Sequence, residues 1–387
     1  MLSPEENELL VRVGPGTPAG ELLRRYWHVV AAVPELSAEK PKKQVKILGE
    51  ELVLFRVGSG QYGLVGEHCS HRGVSLYYGF VEEDGIRCPY HGWKYDACGN
   101  CIDQPFEAAP FKDKIRHPAY PVVERAGLLF AYMGPPETKP VLPRWDLLVR
   151  EDGTQKIDIC EVLRCNWLQA MENSVDPTHT YYLHSHNLKL KGAKDFVPFH
   201  YQQVSRIEFE LVLGPQWAGI QKQRVFAGDE SRVETPHPLV FPNILFVPVR
   251  LGYAMHFRTP VDDFNTRVFQ FRFNPDKDGK TVARSKVPPV EYISTKNPDG
   301  EFHMENFTSQ DHMAWETQGA IANRAGEHLG DGDRGIIMFR RLLWQQIAAV
   351  QRGENPVGVN LDPSKDDVIE MIQDGYSAFS HARSLAM

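Results

Sequence analysis

The chain is 387 residues long, 42% apolar and 24% charged, a composition that leaves room for two cores and excludes disordered and fibrous classes. A net charge of −7 with no block of like charge argues against a nucleic-acid binder and for a small molecule or a docking partner. The longest apolar runs, Val29 to Val33 and Gly127 to Met133, are too short to span a bilayer, and the N-terminus is acidic where a secretory signal needs basic residues, so a cytoplasmic protein is expected.

Residues 1–39 read as a helical lead-in. Pro4, Glu5 and Glu6 open a helix, and Gly14-Pro15-Gly16-Thr17-Pro18 breaks the chain before a second run from Glu21 to Tyr26. From Val45 to Tyr132 short apolar runs alternate with turn residues, as in Leu52 to Val57, Gly58-Ser59-Gly60 and Tyr62 to Val65, which predicts a small all-β domain over 40–145. Gly134 to Pro140 is a linker by composition. A second domain over 146–387 opens with a strand from Lys156 to Val162 and a helix from Asn166 to Glu172. Strand signals follow from 200 to 275, then helices near 308–323 and 333–352. The expected class is α+β, with the all-β domain followed by an antiparallel sheet covered by helices.

Four of the six cysteines lie between residues 69 and 101, which in a reducing compartment points to metal rather than to disulfides. Cys69-Ser70-His71 is followed, sixteen residues on, by Cys88-Pro89-Tyr90-His91. Each half offers one thiolate and one imidazole, the donor set of a two-iron cluster whose potential is raised by neutral ligands. Gly73 and Gly92 follow the histidines, as a loop wrapped around a cluster requires. The competing reading is a structural zinc site, but zinc fingers place two Cys in one half and two His in the other. Cys98-Gly99-Asn100-Cys101 is a Cys-x2-Cys pair open to a redox or second metal role, but it reads as a hairpin turn with two incidental thiols because no second Cys or His pair remains to complete a site, and Cys160 and Cys165 read as core residues.

These two loops, with His71-Arg72-Gly73 and Tyr90-His91-Gly92-Trp93, resemble the Rieske domain of the aromatic ring-hydroxylating oxygenases. They do not resemble the respiratory Rieske proteins, which carry a further cysteine in each loop where Val74 and Tyr90 stand here. The opening Leu2 to Leu10, Arg25-Tyr26-Trp27, Glu327-His328-Leu329-Gly330 and Arg340-Arg341 are similar to the phthalate 4,5-dioxygenase and aromatic O-demethylase branch. The resemblance implies that Cys69, His71, Cys88 and His91 bind a [2Fe-2S] cluster in an all-β Rieske domain, with a mononuclear Fe(II) in the catalytic domain.

Downstream, Glu172-Asn173-Ser174-Val175-Asp176-Pro177-Thr178-His179 is followed by His184 and His186. Two imidazoles and one carboxylate on one side of an iron leave the other side to dioxygen and substrate, and His179 and His184 are the first two ligand candidates. On an ideal α-helix a spacing of five places them ~140° apart, so the helix must be distorted or end between them. Asp176 lies about 60° from His179 on the same face and can hold its imidazole, and it can equally be an N-cap before Pro177. Asp-x2-His-x4-His resembles the mononuclear iron motif of the same family, in which the aspartate links the ligand histidine to a cluster histidine of the neighbouring subunit, here His91. The resemblance also implies a role near the iron for Asn173 and makes Asp311, with Glu316 in reserve, the third ligand. His186 and His312 are expected to flank the site, and His328 to sit at a helix C-terminus.

No strand leads into Gly-x-Gly-x-x-Gly, so the chain has no visible way to oxidise NAD(P)H itself. The resemblance implies a terminal oxygenase fed by a separate NAD(P)H-dependent reductase, with or without a ferredoxin. It would use O2 to hydroxylate an aromatic substrate, by ring dihydroxylation or by monooxygenation such as O-demethylation, and assemble as a homotrimer or a hexamer of stacked trimers. The rival is a Rieske-type electron carrier without oxygenase activity.

Overall fold

The computed structural model describes residues 2–186, 204–233, 237–249, 252–283 and 285–372. Two short helices open the chain, α1 over Pro4–Val11 and α2 over Pro18–Leu23. Ser3 and Glu6 cap α1 reciprocally, and Thr17 caps α2, each with a proline in the first turn. The helical lead-in expected through residue 39 stops there. Trp27–Ala32 is a strand, β1, buried on both faces, with the polar His28 satisfied inside by Leu23 O and Asn243.

Three small sheets follow. They are built from β2 (Lys42–Ile47), β3 (Glu50–Arg56), β4 (Tyr62–Gly66), β5 (Phe80–Val81), β6 (Ile86–Arg87), β7 (Lys94–Tyr95), β8 (Cys101–Asp103), β9 (Ala119–Tyr120), β10 (Val122–Arg125) and β11 (Leu128–Tyr132). The sheets run β2-β3-β4-β9, β5-β6-β7-β8 and β1-β11-β10, all antiparallel. After a two-residue strand β12 (Arg144–Trp145) and helix α3 (Asp146–Val149), the chain enters β13 (Gly153–Cys160) and helix α4 (Trp167–Val175).

Among the described residues the large sheet has nine strands. Besides β13 they are β14 (Val204–Leu213), β15 (Ala218–Phe226), β16 (Asp229–Val233), β17 (His237–Val240), β18 (Ile244–Val249), β19 (Gly252–Asp262), β20 (Asn265–Pro275) and β21 (Val290–Ile293). Helices α5 (Phe307–Glu316) and α6 (Arg334–Gln351) come last, with β22 (Val368–Ile369) pairing back to β12. The sheet is antiparallel except where β21 joins β13 in parallel. No helix among the described residues is long and apolar enough to cross a membrane.

Alternation along β19 and β20 decides where a site can form. Tyr253, Met255 and Phe257 pair across with Phe273, Phe271 and Phe269, and this face packs with Leu128, Phe130 and Trp145 in one apolar core. The opposite face carries His256, Arg258, Gln270 and Arg272. Arg258 donates to the Ala170 carbonyl and to Ser174 Oγ of α4, and its guanidinium stands 4.6 Å from the Trp315 ring centroid on α5.

Helix α4 is held at both ends. Asn166 caps it, accepting from Leu168 N, while its amide donates to the Val11 and Asp263 carbonyls at 2.9 and 2.7 Å. Buried Glu172 pairs bidentately with Arg324 and is bonded by Arg340, which also pairs with Glu327. Burial pushes the Glu172 carboxyl up, but the two guanidinium groups more than offset it and hold it below the ordinary value. The expected helix near 308–323 ends at Glu316, and His328 does not end a helix. It lies in the loop before α6, where Gly330 N donates to Asp333.

Candidate metal centres

The first site lies between two loops built alike. Cys69 N donates to Val74 O and Gly73 N returns to Cys69 O. Cys88 N donates likewise to Trp93 O, and Gly92 N to Cys88 O, all between 2.8 and 3.1 Å. Both glycines adopt φ of 73°, the left-handed region that turns each loop back on itself. A Cβ on Gly92 would meet the Pro105 ring at 2.8 Å. Cys69 and Cys88 are buried and unbridged, and burial together with the adjacent Cys69 thiol pushes the Cys88 thiol up. The His71 and His91 rings stand 4.5 Å apart, His71 stacks on Trp93, and Tyr95 Oη lies 3.2 Å from Cys69 Sγ.

The Nδ1 atoms of His71 and His91 are buried without a hydrogen-bond partner, which is costly unless something else takes their lone pairs. Among the described residues, the one group of three or more His, Cys, Asp or Glu donors that closes to 4.8 Å is His179, His184 and Asp311. The two loops pair thiolate with thiolate and imidazole with imidazole, the separation of donor types that a two-iron cluster takes. Cys98 is exposed and Cys101 buried at either end of a turn that Asp96 Oδ1 holds through Cys98 N and Asn100 N.

The second site forms where α4 ends. Asp176 is the C-cap residue, and after Pro177 the chain winds into a π-helical turn over Thr180–His186. Hydrogen bonds in such a turn run from i to i+5, so residues five apart come onto one face, and the awkward His179–His184 spacing is resolved. The two rings are 5.2 Å apart. Asp311 Oδ1 on α5 lies 3.6 Å from His179 Nε2 and 3.4 Å from His184 Nε2, and has no hydrogen bond of its own. Burial lowers His184 below its usual value against the raising effect of Asp311, and a neutral imidazole is the form a metal binds.

Glu316 is committed elsewhere. It accepts from Arg164 N and pairs with Lys296 Nζ at 2.5 Å. Asp176 Oδ1 takes Thr178 N and Thr178 Oγ1, which leaves Oδ2 to face His179 Nδ1 at 3.6 Å. Burial pushes the Asp176 carboxyl up, and His179 and Thr178 outweigh it to hold it low.

Asn173 lies one turn before Asp176 on α4, half-buried, with no side-chain hydrogen bond among the described residues. His312 is buried beside Trp315, and burial next to Arg258 pushes it down to about 3. The side chain of His186 lies outside the described residues.

Sequence reasoning missed Gln310, whose Oε1 stands 2.7 Å from His184 Nδ1, because an amide has no ligand spacing to betray it. It also missed Arg224, which donates to Thr180 Oγ1, and Arg258. For Arg258 a signal existed, since His256 and Arg258 interrupt an apolar strand at alternate positions.

Residues 26–121 match the family model described as the Rieske [2Fe-2S] domain, and 296–370 the one described as LigXa C-terminal domain like. The chain is 38% identical over 382 residues to the 5,5'-dehydrodivanillate O-demethylase oxygenase subunit of Sphingobium sp. (strain NBRC 103272 / SYK-6), covering 96% of this chain and 86% of the relative. It is 36% identical to the phenoxybenzoate dioxygenase subunit alpha of Ectopseudomonas oleovorans, covering 95% and 90%. Among solved structures, NdmA of Pseudomonas putida CBB5 shares the fold, with a TM-score of 0.64 at 20% identity over 86% of this chain and 93% of that one. Identity of this extent, over nearly the full length of chains named oxygenase subunits, joins the two-loop Cys/His site and the His/His/Asp site in one conclusion: the chain belongs to the Rieske non-haem iron oxygenases, as a terminal oxygenase subunit.

Proposed function

We propose that Cys69, His71, Cys88 and His91 hold the [2Fe-2S] cluster, that His179, His184 and Asp311 hold the mononuclear Fe(II), and that the protein hydroxylates an aromatic substrate bearing a carboxylate. The observation that carries the reading is the closure of His179, His184 and Asp311 to 4.8 Å in a chain that also bears the two Cys/His loops. When bound, the cluster supplies electrons singly and the Fe(II) supplies the place where dioxygen is reduced beside the substrate.

The chain's own part is positional. It gathers two imidazoles and one carboxylate on one side of the metal, and Asp176 Oδ2 faces His179 Nδ1 at 3.6 Å while Nε2 of the same ring faces Asp311. Arg258, buried on the sheet face below α4 and α5 and within the field of Asp311, sets a guanidinium close to the ligands. Both relatives' names denote aromatic carboxylates, and this is what supports a carboxylated ring as substrate.

Ring attack would give a cis-dihydrodiol, and attack on a methoxy carbon would release formaldehyde. The anchored carboxylate fixes which carbon is presented. Electrons come from a separate NAD(P)H-dependent reductase, with or without a ferredoxin, in the cytoplasm.

We place the subunits in a closed head-to-tail trimer, alone or stacked in pairs, in which His91 of one chain approaches Asp176 of the next. In support, Tyr90 beside His91 is 54% exposed, and Tyr78, Phe80 and Phe106 are also exposed near the loops, an apolar surface that a second copy would cover.

The test is iron, zinc and acid-labile sulfide per chain, with an EPR spectrum of the reduced protein. About three irons and two sulfides with a low average g value support both centres. Two irons would leave only an electron carrier, and zinc without sulfide would overturn both assignments. Aromatic carboxylates should then be turned over, and their methyl esters much less.

A further inference from the structure

Gln310 is fully buried between a backbone carbonyl and a candidate iron ligand. Its Nε2 donates to Met304 O at 2.8 Å, and its Oε1 lies 2.7 Å from His184 Nδ1. These contacts fix a proton without any hydrogen being seen. A carbonyl only accepts, so the amide nitrogen must face Met304 and the amide oxygen must face His184. That oxygen also only accepts, so Nδ1 of His184 carries the hydrogen. In a neutral imidazole Nε2 is then bare, and it faces Asp311 Oδ1 at 3.4 Å, two electron-pair donors opposed across a gap that a cation would fill.

We propose that Gln310 is the positioning residue of His184: anchored on Met304, it selects the Nδ1–H tautomer and aims Nε2 at the mononuclear metal. This rests on the reading of His179, His184 and Asp311 as the metal's ligands. Gln310 and Asp311 are consecutive on α5, about 100° apart around the helix, so one turn supplies both a ligand and the group that orients another. The two histidines thus meet different groups: His179 Nδ1 faces the Asp176 carboxylate at 3.6 Å, whereas His184 Nδ1 is hydrogen-bonded to a neutral amide at 2.7 Å. A charged acceptor makes its imidazole the stronger donor, so His184 is the ligand fixed in place and His179 the one tuned by charge.

The experiment measures Fe(II) affinity of the mononuclear site by competition with a chromogenic ferrous chelator in the cluster-loaded protein. The visible spectrum of the cluster and a thermal melt serve as controls for folding. Gln310→Met removes the acceptor at nearly constant length, and Gln310→Leu does so with a second shape. Gln310→Glu keeps an acceptor on His184 while giving up the bond to Met304.

The expected result is a loss of ~10- to 100-fold in Fe(II) affinity for Met and Leu. Glu should bind Fe(II) at least as tightly as the wild type, since its carboxylate still accepts from His184 Nδ1. Unchanged affinity in Met and Leu overturns the proposal, and so does an equal fall in all three, which would assign Gln310 to holding Met304. Wild-type protein with no metal beyond the cluster would instead remove the triad assignment itself.

Discussion

Asp311 and Glu316 lie on one helix, and what separates them is what else they touch. Glu316 pairs with Lys296 and accepts from Arg164 N, whereas among the described residues Asp311 Oδ1 faces the two imidazoles and has no hydrogen bond. Asp311→Ala should therefore drop the iron content from about three to about two per chain while the cluster spectrum persists. Glu316→Gln should keep all the iron and cost about 1–2 kcal/mol in a denaturation experiment. Asp176 is pinned by Thr178 so that a single oxygen is left for His179, a geometry suited to orienting and coupling rather than to binding metal. Asp176→Asn should leave both centres loaded and slow turnover by ~10-fold or more. Normal turnover with full metal content would remove Asp176 from the electron path. At this scale the thiolates and imidazoles were legible because their chemistry demands particular residue types at short spacing. Gln310 was not, because its role depends on a fold that brings residue 310 to residue 184.

At the scale of elements, the strands of the large sheet and the helices α4 and α6 follow from alternation and caps that local sequence carries. The π-helical turn does not. Nothing in Thr180 to His186 distinguishes it from an α-helix, and the sole hint was a histidine spacing that an α-helix serves badly. Strand β1 is not legible either, since Trp27 to Ala32 is buried along its whole length and lacks the period-two signal. That strand carries a titratable lock. His28 Nε2 donates to Leu23 O, and Nδ1 accepts from Asn243 between β17 and β18. Burial pushes His28 down to about 4 from 6.5, helped by Arg24 and opposed by the Leu23 bond. The folded state thus binds the proton less readily than the unfolded chain. The stability that this neutral histidine contributes is complete above pH 6.5 and is lost as the pH falls from there through about 4, a loss of about 3 kcal/mol. Unfolding midpoints measured across that range should fall, and should fall less in His28→Gln, which starts less stable but has nothing to protonate.

For the whole molecule, the proposed ring makes each pair of centres the property of two chains. Cys88→Ala, lacking a cluster, and His179→Ala, lacking the mononuclear iron, should each be inactive alone. Coexpressed, they should recover turnover, because an intact cluster then serves an intact iron across an interface. No recovery in mixed oligomers of confirmed composition would place the electron path within one chain. The long-range contacts carry a further consequence, which concerns the order of biosynthesis. All strands of the three small sheets lie before Tyr132 ends β11, so both cluster loops and their frame leave the ribosome together and early. The histidine side of the second site emerges long before its completion. Gln310 is 126 residues from His184, and Arg324 and Arg340 are 152 and 168 residues from Glu172. During that interval the nascent chain presents two imidazoles without their carboxylate, a pair that copper or zinc would bind more tightly than ferrous iron. Cluster insertion can therefore accompany translation, whereas correct ferrous loading has to wait for the last third of the chain.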